Sequence, residues 1–396
     1  MAVTPTTTNT HISDNFAKLL YPGLRKIFFE TYTEVPECFS KLFKVNSSSK
    51  ATETDYGLGA FKDWQIRTDE VDEVNYQKLS AGLERTYRHV PFTSGFMIGR
   101  ELYDDEQYRQ INKFPAALAR AGRATVERDT HSLFNFGFMA PMAGYDGKAL
   151  FAADHPLVDS TGVGSNLVSG ALNDANLKIA IQCMGETVDE AGNLVVFVPD
   201  TLVVAPKNEF LAKELLNSAQ KAGTDLNDIN AIKGALKVVV DPWLATAAGG
   251  NDDAWYVMDS TKHELNFFWR VKPEFKNEED FDTFVAKYRA YMRYSYGYSD
   301  WRGIVGSLGG LTASTAPAFT TPSASATSVT VGTCKSGAKL QLYVDGKVVA
   351  QKTASGTSES FTGIDAKLIK VGSKVTVIQT ESGKAPTAAA MGTVAS

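Results

Sequence analysis

Between Phe284 and Tyr296 every even position is apolar (Phe284, Ala286, Tyr288, Ala290, Met292, Tyr294, Tyr296), while the odd ones include Lys287, Arg289 and Arg293. Successive side chains of a pleated strand point to opposite sides, so this alternation predicts a long strand with one buried face. Other segments have helical spacing. Phe16, Leu19, Leu20, Leu24, Ile27 and Phe28 share a face, but Pro22-Gly23 interrupts them, so residues 14–31 are expected to form two short helices joined by a bend. Residues 104–136 are the longest helical candidate. Asp104 and Asp105 suit its electropositive N-terminal end, Pro115 interrupts or kinks it, and Ala117, Leu118, Ala121, Ala124, Val126 and Leu133 carry the pattern onward. About 20 residues beyond Pro115 would span roughly 30 Å.

Residues 171–260 read as a compact mixed block. Leu177, Ile181, Met184 and Val188 predict a helix and Gly192-Asn193 a turn, followed by strands over 194–198 and 201–205. A helix over 208–222, stopped by Gly223, and a buried strand over 236–240 complete it. Residues 68–96 follow neither period. There Glu70, Asp72, Glu73, Glu84, Arg85 and Arg88 alternate with scattered apolar residues around Ser80-Ala81-Gly82, as in a long exposed hairpin with little core of its own. Residues 137–170 read as a long Gly-rich loop.

The pattern changes again near Thr315. Short runs over 328–332, 339–344, 347–353 and 375–380 read as strands, and Asp345-Gly346 is a strong hairpin signal because a type I′ turn needs positive φ at both positions. Composition shifts with it. Residues 315–396 hold 8 Lys, no Arg and 4 acidic residues, about +4, leaving 32 basic and 41 acidic residues, or −9, before them. Residues 308–322, rich in Gly, Ser, Thr and Pro, read as a linker between independently folding units, and the tail as a small β-sandwich. Its order of strands, GAKLQLYVDGKVV and then GSKVTVIQTESGKAP, resembles bacterial immunoglobulin-like repeats.

With 396 residues and 43% hydrophobic residues the chain can bury sizeable cores. A net charge of −5 gives no global pull toward nucleic acid or membrane. No apolar run is long enough to cross a bilayer and the N-terminal residues lack the features of a signal peptide, so a soluble protein made in the cytoplasm is expected. The three cysteines are far apart and no histidine pair has metal-ligand spacing, so neither a metal nor any other cofactor is expected. Asp154-His155 is the best catalytic-looking pair, but neighbouring residues rarely face the same way, and a structural histidine is the simpler reading. No motif supports catalysis, and no enzyme is expected.

Five segments point elsewhere: FAKLLYPGLRKIFFETY, VPFTSGFMIGRELYDDEQY, DGKALFAADHP, LVVAPKNEFLAKELL and YRAYMRYSYGYSDWRGIVGS. In that order they resemble the major capsid proteins of tailed bacteriophages with the Hong Kong 97-type fold, most of all the Mu-like major head subunits. The resemblance implies an α+β fold with an N-terminal arm (1–60), an extended loop (61–99), a peripheral domain with a spine helix (100–170), an axial domain (171–260) and a return to the peripheral domain (261–307). A linker (308–322) and an immunoglobulin-like domain (323–396) on the shell exterior would follow. It further implies self-assembly into pentamers and hexamers of an icosahedral shell, in the virion after assembly in the host cytoplasm. Scaffold and portal proteins and double-stranded DNA held without sequence specificity would be the partners, with no membrane.

On this reading Glu70, Asp72 and Glu73 on one side of the loop and Arg85 and Arg88 on the other make inter-subunit ion pairs that set register. The alternative is a solvated charged hairpin. Asp300, Trp301 and Arg302 are expected to lock the end of the long strand by packing and an ion pair. Nothing marks a Lys/Asn pair for covalent cross-linking. The rival from another class is a secreted or surface carbohydrate-binding or adhesion protein with an immunoglobulin-like tail.

Overall fold

The computed structural model describes residues 16–58, 61, 64, 66, 76–77, 81–99, 101–102, 108–139, 144, 146–157, 162–220, 229–280 and 285–395. The alternating segment is a strand, and with its neighbours it forms a four-stranded sheet. Strand β1 (Lys44–Ser47) follows helix α1 (Phe16–Glu34), and a hairpin of β2 (Thr52–Leu58) and β3 (Ala81–Arg88) leads into β4 (Val90–Gly99). Helix α2 (Lys113–Asn135), helix α3 (Asp174–Gly185), β5 (Thr201–Val204), helix α4 (Glu209–Asn217), β6 (Lys237–Val240) and β7 (Trp255–Met258) come next. Then β8 (Leu265–Asp280) and β9 (Val285–Tyr298) run antiparallel in the order β1-β8-β9-β4, and β10 (Ile304–Ser307) closes the second sheet, β10-β7-β5-β6.

Helix α2 lies against the first sheet. Its Val126, Leu133 and Phe134 join Phe39, Phe267, Trp269, Tyr294 and Tyr298 in one core, where Phe267 and Tyr294 stack at 5.3 Å. Further along, Leu24, Phe28 and Tyr32 of α1 pack on Ala119 of α2 and on Phe275 and Tyr288 of β8 and β9. That contact explains a departure from the expected bend. Pro22 stands inside a single 19-residue helix, because the burial of Leu24 and Phe28 beyond it outweighs one missing backbone bond. Pro115 sits in the first turn of α2, where its lost N–H has no intrahelical partner to leave unmet.

Other boundaries moved for similar reasons. Residues 90–99, expected in the extended loop, form β4 and pair with β9 throughout (Val90↔Tyr294 to Gly99↔Val285). Strand β10, expected with the returning segment, joins the central block by pairing with β7. Residues 194–198 are not a strand: Val195 N–H bonds Thr187 O and the stretch passes with Leu194, Val196 and Val198 exposed. The helix expected over 208–222 is Glu209–Asn217.

The tail is a sandwich of two sheets. One pairs Ala318–Phe319, β11 (Ser328–Gly332) and β14 (Ser358–Thr362); the other holds β12 (Lys339–Val344), β13 (Lys347–Thr353) and β15 (Lys374–Thr380). Between them lie Val329, Val331, Leu340, Leu342, Phe361, Val375 and Val377. Asp345 (φ 50°) and Gly346 (φ 76°) make the predicted turn. Much of the expected linker belongs to this unit, since Ser314 N–H donates to Ala385 O and Ala318 and Phe319 pair with β11.

The sandwich also rests on the body. Tyr343 and Ile378 pack on Phe136 just past α2, and Lys339 Nζ donates to Thr246 O at 2.7 Å. The Lys347 ammonium stands 4.9 Å from the Phe92 ring centre and 5.8 Å from those of Tyr294 and Tyr296.

One carboxylate ties the chain's first part to α2. Fully buried Glu127 accepts from Cys38 N–H at 2.9 Å and from Phe39 N–H at 3.0 Å, and both N–H groups lie far from α2 in sequence. We expect Glu127→Gln to destabilise the chain by roughly 2–3 kcal/mol, since the amide sets a donor against one of these N–H groups. Urea unfolding of purified protein measures this, and a loss below about 0.5 kcal/mol would contradict it.

Candidate functional site

The charged arm rises from a hairpin whose base is fixed to the body. Asp55 and Arg85 are register partners, as are Thr52 and Arg88. The Asp55 carboxylate accepts from Ser299 Oγ–H, and Tyr87 Oη lies 2.6 Å from Ser299 Oγ. The Arg85 guanidinium stands 6.0 Å from the ring centre of Tyr87 and 5.7 Å from that of Tyr298, so it leans on its own body. Arg88 is exposed at the end of β3. Among the described residues neither arginine makes an ion pair, and Glu70, Asp72 and Glu73 lie outside the described residues. The arm does present large apolar groups to solvent: Trp64 is 94% exposed, Ile66 90% and Tyr76 88%. Their burial awaits another surface, a feature the charge pattern alone did not signal.

At the far end of β9, Asp300, Trp301 and Arg302 meet two other segments. Arg302 Nη1 lies 3.2 Å from Asp300 and 3.0 Å from Glu190, and its Nε donates to Val188 O at 2.7 Å. The guanidinium lies 4.7 Å from the Trp301 ring centre. Trp301 is buried and stacks on His155 at 4.4 Å, with Gly164 so close that a Cβ there would come within 2.4 Å of the indole. Only glycine leaves room for the ring.

His155 is accordingly a packing residue. Its Nδ1 lies 2.6 Å from Asp146 Oδ2 and its Nε2 3.2 Å from Asn166 Oδ1, while Asn166 Nδ2 donates to Leu150 O and Trp301 O. Asp154, the sequence neighbour, pairs instead with Lys148, whose hydrogen bond lowers its carboxyl below the usual range. The pair that looked catalytic thus has its two members turned to different partners. Asp146 and Asn166, which hold the imidazole, were not singled out in the sequence because the folding of the intervening loop brings them there.

A second buried histidine links α2 to the central block. His131 Nε2 lies 2.7 Å from Asp241 Oδ2, and Asp241 Oδ1 accepts from Trp243 N–H at 2.9 Å. Burial works against the charged imidazole, but the hydrogen bond and charge of Asp241 outweigh it and raise the His131 pKa. Among the described residues no group of three or more His, Cys, Asp or Glu side chains is placed to hold a metal ion. No helix among them is long and apolar enough to cross a membrane.

The body is a long helix on a sheet, and the hairpin it carries leaves Trp64, Ile66 and Tyr76 exposed. Residues 84–307, more than half of the chain, match the profile of the phage capsid protein family, and the chain belongs to that family. It is a major capsid protein, a structural subunit of the phage shell. Solved structures similar to it include the procapsid of bacteriophage JBD30 (16% identity, 74% of this chain and 75% of that chain, TM-score 0.41). Others are Mycobacterium phage Patience (10% identity, 77% and 90%, TM-score 0.47) and a virus-like particle from Pyrococcus furiosus (10% identity, 72% and 98%, TM-score 0.41). No curated protein matches the chain. The family match ends before the tail sandwich, and it favours the shell over the adhesion alternative.

Close to the Arg302 turn, His263 gives the subunit an acid-sensitive point. It is buried, accepts from Leu265 N–H through Nδ1 at 3.1 Å, and its pKa falls from 6.5 to about 4 because of burial and then the Lys44 charge. The unfolded chain therefore binds a proton that the folded chain refuses between these values. Stability is full above pH 6.5 and falls toward pH 4, by roughly 3 kcal/mol from this group. Asn at this position can keep an acceptor but does not titrate. We expect His263→Asn to flatten that part of the stability–pH curve by about this amount, as read by urea unfolding at each pH.

Proposed function

We propose that the chain closes into pentameric and hexameric rings that build an icosahedral shell around double-stranded DNA. The observation that carries this reading, beyond family membership, is the exposure of Trp64, Ile66 and Tyr76 along an arm with little core of its own. Such rings stay in water only until a neighbour covers them, and many weak contacts repeated by rotation make a stable cage. Scaffold and portal proteins guide closure in the host cytoplasm, and DNA is held without reading its sequence. The role is structural rather than catalytic.

Segment roles follow the same proposal. The start of the 1–60 segment lies along a neighbour while α1 and β1 pack on their own body, the 61–99 segment reaches over that neighbour up to β4, α2 is the spine of the peripheral domain, and 171–260 form the axial domain. The tail is an added domain on the exterior. Glu70, Asp72 and Glu73 of one subunit meet Arg85 and Arg88 of the next and set register, with most of the affinity coming from apolar burial. The Asp300-Trp301-Arg302 turn locks the end of β9 onto Val188 and Glu190 within each subunit.

Two measurements test this. Electron microscopy of the full chain expressed with its neighbouring assembly genes should show closed icosahedral particles, and a persistent monomer would overturn the proposal. In the same assay Trp64→Ser should cut particle yield while leaving the thermal midpoint of the free subunit unchanged, and charge reversal at both Arg85 and Arg88 should also cut yield; unaltered yield in both would remove the arm's role. Separately, Arg302→Ala should cost roughly 3 kcal/mol in urea unfolding, because it strands buried polar partners. A neutral result there would remove the lock.

A further inference from the structure

A cleft of about 590 Å³ opens where the base of the arm meets the tail sandwich. Arg85 and Arg88 of β3 form one side and Lys347 and Lys374 of the sandwich the other, with Tyr343 also on the wall. Against these cations stands one carboxylate, Asp345, whose oxygens already accept from Ser373 Oγ–H at 3.0 Å and Lys374 N–H at 2.8 Å. The wall therefore has a surplus of positive charge.

Its hydrogen-bonding groups are also left over. Arg85 Nε, Tyr343 Oη and Lys347 Nζ are each buried without a hydrogen-bond partner among the described residues. A buried donor with no acceptor costs free energy, and three around one cleft mark a place where an acceptor from outside completes the set. Asp129 and the rings of Phe92, Tyr294 and Tyr296 temper the Lys347 charge without ion-pairing with it. Burial lowers the Lys347 pKa and raises that of Asp129, each against the pull of the other's charge.

We propose that this cleft is a carboxylate-binding site and that its occupant is an acidic segment of a second copy of the chain. The charge distribution favours that source. Residues 1–314 carry −9 and residues 315–396 +4, so a shell built from this chain places an acidic body beside every basic tail. A dense run of carboxylates, Asp69, Glu70, Asp72 and Glu73, is the first candidate segment. The tail is then a working half of the inter-subunit contact, adding Lys347, Lys374 and Tyr343 to Arg85 and Arg88. The choice of occupant rests on the shell reading, whereas the site itself does not.

The test has two arms. The unassembled full-length chain is titrated with glutarate and with inorganic phosphate while its thermal midpoint is followed. A saturable rise is expected, roughly tenfold weaker in Lys347→Met. Because Lys347→Met could fail to fold, the exposed pair Arg88→Gln and Lys374→Gln is measured beside it and should show the same weakening. In the second arm, particles co-assembled from light and heavy isotope-labelled chains are treated with a water-soluble carbodiimide, which joins an amine to a carboxylate in contact. Lys374 should be linked to an Asp or Glu peptide of the opposite label. A midpoint rise without such links assigns the cleft to a free anion and overturns the second copy as occupant. Neither rise nor links overturns the site, and a chain that forms no particles yet saturates with glutarate separates failure of the shell reading from failure of the site.

Discussion

The body hangs on the buried face of helix α2. From that face the Glu127 carboxylate holds the N–H groups of Cys38 and Phe39, and two turns of apolar residues meet the rings of Phe267 and Tyr294. His131, one helical turn from Glu127, reaches Asp241 at 2.7 Å and fixes the central block to the same helix. These polar contacts have specific partners in two distant parts of the chain, so they set relative placement, while the aromatic core supplies the larger share of burial. A shell subunit needs that rigidity. Contacts repeated around a ring close only if each copy presents its surfaces at the same angle.

Rigid body and projecting arm therefore divide the work. Arg85 leans on Tyr298, and Tyr87 and Asp55 meet at Ser299, so the arm leaves the body in a defined direction. Beyond that base its rings are bare, Trp64 most of all. Apolar groups held out by a fixed base are a poor investment for a monomer and a natural one for a lattice. His155 and His131 take no part in this. His155 is stacked on Trp301 and His131 is bonded to Asp241, each a packing element with its ring nitrogens engaged.

The tail makes the same point about context. Its strands, hairpin and sandwich core are those of a unit with its own interior. Yet Tyr343, Ile378 and Lys347 face the body, and Lys347 enters a ring of aromatic side chains from β4 and β9. An ammonium group that gives up water for aromatic faces points to a defined seat on the body, not a freely swinging appendage.

Local pattern in the sequence determined the strand Val285–Tyr298, the helices over α2 and α3, the Asp345-Gly346 hairpin and the break in composition before the tail. Each depends on the spacing of side chains along a few turns or pleats, which the chain carries wherever it folds. Family membership was legible in the same way, through the order of its segments. What only the tertiary structure decided are the choices between competing local signals and the contacts across distance. Pro22 sits within one helix because packing beyond it prevails, and residues 90–99 join the main sheet because β9 offers them a ladder. Asp146 holds His155, and Lys347 meets the face of Tyr294. Partners such as these are fixed only when folding brings their segments together, since a hydrophobic or charged residue specifies the kind of surroundings it needs and not which residues will provide them.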